Sequence, residues 1–122
     1  MIIALFQTTI DNVTKENSVA PSTTVYSNPW NASMMTVNWA AQVLWTGTLS
    51  GTITLWYSNA DRPGLANDTD WTQAPAGDFT AVATGGAAGS TVTSGTKPFR
   101  WLRFKYTHTS GIGKLFGNVN QP

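Results

Sequence analysis

Short runs of alternating apolar and polar residues, punctuated by Gly, Asn, Asp and Ser, dominate this chain and restrict it to β structure. The runs fall at residues 37–45, 51–59, 99–107 and 114–119, with shorter ones between. In the first, Val37, Trp39, Ala41, Val43 and Trp45 share one face, and Thr36, Asn38, Ala40, Gln42 and Leu44 the other. In the second, Ile53, Leu55 and Tyr57 oppose Thr52, Thr54 and Trp56. In the third, Leu102, Phe104 and Tyr106 oppose Trp101, Arg103, Lys105 and Thr107. No stretch carries a helical period. The expected fold class is all-β: a two-sheet antiparallel β-sandwich, jelly-roll-like, with Ile53, Leu55, Tyr57, Leu102, Phe104 and Tyr106 inside. Trp39 and Trp45 fall on the core side by the same parity. Residues 47–51 read as a tight hairpin, residues 11–21 and 59–70 as loops, and the Gly- and Ala-rich residues 84–90 as a mobile linker.

A chain of 122 residues makes one domain, 1–122, and is long enough for a core without staples. Residues 1–22 are a candidate extended N-terminal arm. The apolar Ile2, Ile3, Leu5 and Phe6, set apart by a polar stretch, are its candidate assembly contacts. They are too few for a membrane span and lack the basic flank of a signal peptide. The absence of cysteine removes disulfides and thiolate metal sites, and fits a reducing compartment. Charged residues are 11% of the chain and the net charge is +1. That balance argues against nucleic acid as a partner, which would require a basic stripe. A surface solvated by neutral side chains suits close contact with copies of itself or with another protein wall.

Catalytic chemistry finds little support. The single histidine, His108, follows the third run with no orienting acid adjacent in sequence. Asn59, Asp61, Asn67, Asp68 and Asp70 offer oxygen ligands for calcium, yet their spacing fits no EF-hand loop and suits Asx turns as well. No phosphate-binding, dinucleotide or nucleophile-elbow motif occurs. No enzyme activity and no cofactor are expected. The six tryptophans are the richer signal. Trp56 and Trp101 lie on the polar faces of their runs. With Arg103 and Lys105 they form a candidate interaction surface, suited to a protein interface or to stacking on a glycan.

Residues 45–113 carry a recurring pattern. Trp45-Thr46-Gly47 precedes a Gly51-Thr52-Ile53-Thr54-Leu55 strand ending at Ser58-Asn59; Asp70-Trp71-Thr72 follows; then Trp101 to Tyr106, and a Ser110-Gly111-Ile112-Gly113 hairpin that leads into the last strand. This pattern resembles small β-sandwich structural proteins of tailed bacteriophages. Discoidin-like carbohydrate-binding sandwiches share a similar late strand. The phage resemblance implies a non-enzymatic virion protein, a capsid decoration or cement protein or a tail accessory, assembled in the host cytoplasm. Its implied partners are the major capsid protein or another virion protein and further copies of itself, as a homotrimer. The alternative is a carbohydrate-binding module on a tail or fibre.

Overall fold

The computed structural model describes residues 2–32, 38–97 and 99–121. Val37 and Thr36, expected at the start of the first long strand, lie outside the described residues. The strands are β1 (Ile2–Ala4), β2 (Thr8–Ile10), β3 (Val13–Glu16), β4 (Ser18–Val19), β5 (Val25–Tyr26), β6 (Trp39–Trp45), β7 (Ser50–Ser58), β8 (Thr72–Gln73), β9 (Val82–Ala83), β10 (Gly89–Gly95), β11 (Trp101–Ser110) and β12 (Leu115–Asn120). One sheet runs β1-β12-β6-β10, with β4 also on β12. The other runs β5-β11-β7-β8, with β9 also on β7. All pairings are antiparallel, and the two sheets pack face to face as a β-sandwich.

The alternation read in the sequence is the alternation of burial. Ile53, Leu55, Tyr57, Leu102, Phe104 and Tyr106 point inward from the second sheet, none more than 8% exposed. Trp39, Ala41, Val43, Trp45, Leu115 and Val119 meet them from the first. Trp30 completes this core. It bridges to Leu102 through a reciprocal backbone pair, both bonds 2.9 Å. Its ring packs edge-on to Trp39 at 5.2 Å and tilted against Phe104 at 5.4 Å, geometries that suit aromatic quadrupoles.

Four expectations need correction. Residues 47–51 are not a hairpin, because β6 and β7 belong to different sheets. The same holds for β11 and β12 around residues 110–113. Both connections are corners that carry the chain across the sandwich, and they pack backbone against backbone. Thr48 N–H donates to Ile112 O at 2.7 Å and Thr46 N–H to Lys114 O at 2.9 Å. The Thr46 and Thr48 hydroxyls accept the N–H groups of Lys114 and Ile112 in return. The Thr-Gly and Ser-Gly-x-Gly motifs are thus one structural unit.

Residues 11–21 hold a hairpin rather than only loop. β2 pairs β3 across Asp11 and Asn12, both at positive φ (52° and 62°), the backbone of a type I′ turn. Gly89 and Ser90, expected in a mobile linker, belong to β10. Trp45 Nε1–H ties the preceding turn down, donating to Thr84 O and Ala87 O.

Candidate interaction surfaces

The outer face of the β5-β11-β7-β8 sheet holds the residues expected to form a solvated patch. Register places Arg103 directly opposite Trp56, Trp101 opposite Ser58, and Lys105 between Thr54 and Tyr26. Trp56 and Trp101 are half-buried. Arg103 overturns the expectation of a solvated charge: it is 0% exposed. Its guanidinium lies between the rings of Tyr26, at 3.9 Å, and Trp71, at 4.2 Å. Nη1 donates to the carbonyls of Gly64 and Leu65, and Nη2 to Asn67 O and to Asp68 at 3.3 Å. The 59–70 loop folds back over the sheet because a buried charge needs this set of acceptors. Arg103 is therefore the residue that shapes the loop. Burial pulls its pKa down, opposed by Tyr26 and Asp68, and the group stays charged at neutral pH.

Lys105 completes the cap. Its Nζ lies 2.6 Å from Asp68 and 5.0 Å from the Trp56 ring. The bond from Lys105 leads the effects that hold the Asp68 carboxyl below its ordinary range. The loop acids considered for calcium are engaged within the domain. Asp61 pairs with Arg100, Asp68 with Lys105 and Arg103, and Asp70 accepts Gly64 N–H. Among the described residues no three acidic or histidine groups cluster as a metal site. His108 Nδ1 lies 3.1 Å from the Tyr106 hydroxyl.

Three of the four apolar assembly candidates fold onto their own domain. Leu5 and Phe6 are core, 0% and 2% exposed, because Leu5 N–H bonds Gly117 O while Leu5 O accepts Asn28 N–H. Ile3 sits opposite Val119 and packs on the core. Ile2 alone remains exposed, at 72%.

A surface that single-strand parity did not reveal lies on the other side of the sandwich. The strand registers set three rows on the outer face of the β1-β12-β6-β10 sheet. They are Ile2-Asn120-Ala40-Ser94, Ala4-Asn118-Gln42-Val92 and Ser18-Phe116-Leu44-Ser90. None of these side chains is ionisable. Indeed β1, β4, β6, β10 and β12 contain no Asp, Glu, Lys or Arg. Ile2 and Val92 stand exposed, Leu44 and Phe116 half-buried, and amides fill the spaces between. A shallow depression of about 250 Å³ lies among Ile2, Gln42, Val92, Asn118 and Asn120.

A third feature is a cleft of about 490 Å³ at one end of the second sheet. Tyr57 and Phe99 stack there at 4.1 Å, ringed by Asn59, Thr72, Gln73 and Asp78. Lys97 donates to Asp78, which also accepts the Tyr57 hydroxyl at 3.4 Å. Burial first, and then Asp78, push the Tyr57 pKa up to about 12. A pKa raised on folding stabilises the protein fully below the unfolded value, near 10, and that contribution is lost as pH climbs toward 12. We expect about 2–3 kcal/mol to disappear over that window. Urea unfolding at pH 9 and pH 11.5 measures it. Tyr57→Phe should flatten the decline, leaving the part due to Tyr106, whose hydroxyl burial also pushes up.

Compared with protein-family models and with curated proteins, the sequence gives no match.

Proposed function

We propose that the chain is a non-enzymatic structural protein of a bacteriophage virion, a decoration or cement module that docks on the capsid lattice. The observation that carries this reading is the uncharged outer face of the β1-β12-β6-β10 sheet. Surfaces facing only water are typically about a quarter to a third charged. Interface cores are depleted of charge, because ions lose hydration there without full repayment. A face of Ala, Ile, Val, Leu, Phe, Ser, Asn and Gln matches that requirement, and the resemblance of residues 45–113 to phage structural sandwiches supplies the kind of partner.

The test uses particles of the encoding phage assembled without this chain. Added protein should bind them, and Gln42→Lys, at the centre of the face, should lower binding at least tenfold while leaving the fold intact. Equal binding by the wild type and Gln42→Lys would refute the docking face. The second reading, a carbohydrate-binding module, rests on the Tyr57–Phe99 cleft, whose aromatic wall and polar rim suit a sugar ring. The same preparation on a glycan array separates the two: binding there that Phe99→Ala abolishes supports the second reading.

A further inference from the structure

We propose that β10 is a self-pairing edge: a second copy of this chain joins it antiparallel, about a two-fold axis through Val92. β10 is the last strand of its sheet, paired only with β6 among the described residues. It runs seven residues in unbroken register, whereas the strands at the other open edges of the two packed sheets, β1, β4, β5, β8 and β9, have two or three residues each. Long open edges are ordinarily blunted by Lys, Pro, a bulge or an inward charge. β10 has none of these.

Its sequence reads the same in both directions: Gly89-Ser90-Thr91-Val92-Thr93-Ser94-Gly95. Antiparallel pairing about Val92 sets Thr91 opposite Thr93 of the second copy, Ser90 opposite Ser94, and Val92 opposite itself. Thr–Thr neighbours are favourable cross-strand pairs, and a two-fold interface requires self-complementarity of this kind. The terminal glycines have an internal reason, since Trp45 lies against Gly89 and Trp39 against Gly95. In the central Ser-Thr-Val-Thr-Ser only Thr91 and Thr93 turn inward, half-buried beside Val43 and Ala41, while Ser90 and Ser94 are exposed and Val92 is 68% exposed, with no internal reason for their identity. Beyond the strand, Lys97 of one copy would face Ala87 of the other, so like charges do not meet. The uncharged outer faces of two copies would then form one continuous surface. The proposed stoichiometry is two-fold, in place of the trimer that the phage resemblance implies.

The chain has no cysteine, so single cysteines report the register cleanly. Under mild oxidation Val92→Cys should give a disulfide-linked dimer. Ser90→Cys should not, because its copies lie four residues out of register, roughly 14 Å apart and beyond disulfide reach. Ser90→Cys with Ser94→Cys should cross-link again. Sedimentation should give the mass of two chains for the wild type and of one chain for Val92→Lys, which sets like charges opposite each other, and Val92→Lys should melt as the wild type does at dilutions where its dimer has dissociated. A wild type that stays monomeric at every concentration, a trimer, or equal cross-linking of Val92→Cys and Ser90→Cys would overturn the proposal. All of this is read in solution without particles, so it stands or falls apart from the docking face.

Discussion

Arg103→Met should lower the stability of the domain by about 3–5 kcal/mol, because it strips the carbonyls of Gly64, Leu65 and Asn67 of a charged donor at about 1–3 kcal/mol for each acceptor left unsatisfied. For a chain of this length that is a drop of roughly 10–20 °C in melting temperature. The substitution keeps the aliphatic stem and removes every bond to Gly64, Leu65, Asn67 and Asp68. It also empties the slot between Tyr26 and Trp71. The carbonyls left behind must find water, which they can do only if the loop lifts from the sheet. Faster amide exchange and new protease cleavage within residues 60–71 should therefore accompany the lower midpoint in urea. Arg103→Lys should recover little, since an ammonium has neither the planar stacking surface nor the fork of donors. A melting temperature within a few degrees of the wild type for Arg103→Met would show that the loop is held by other contacts.

Gly111→Ala should cost about 3 kcal/mol, from a positive φ and overpacking together. Gly111 sits at φ +85° in the corner between β11 and β12, and a Cβ there would meet Thr48 O at 1.9 Å. That oxygen is backbone of the opposing corner and cannot swing away. Gly85→Ala provides the control: φ is +70°, but nothing lies within 4 Å of the added carbon. It should cost only about 1 kcal/mol, the backbone part alone. Thermal or urea unfolding of the two variants measures the difference, and equal losses would mean that the two corners do not press on each other as described.

These two sites also show where sequence reasoning succeeded and where it stopped. The faces of β7 and β11 were legible because burial on one side of a strand imposes a period of two, and inward Leu102, Phe104 and Tyr106 obey it. The same rule assigned Arg103 to the outer face correctly, but to solvent incorrectly. Parity states which side of a sheet a residue takes and nothing about what covers that side. The covering loop owes its shape to Trp71 and three backbone carbonyls, which carry no periodic signal. The corners look like hairpins in the sequence because Gly-rich turns are alike whether the chain reverses within a sheet or crosses between two. The β2–β3 hairpin escaped because its strands have no buried residue and hence no alternation to detect. The uncharged face was present in the sequence as strands without ionisable residues. It becomes a surface only when the order β1-β12-β6-β10 sets those strands side by side.

Hydrogen–deuterium exchange of the chain, free and bound to phage particles assembled without it, tests the docking account most directly. The account predicts new protection within residues 39–45 and 115–120, with little change at residues 57–60, 70–75 and 99. Protection confined to the Tyr57–Phe99 cleft, with residues 39–45 and 115–120 exchanging as in the free protein, would contradict it.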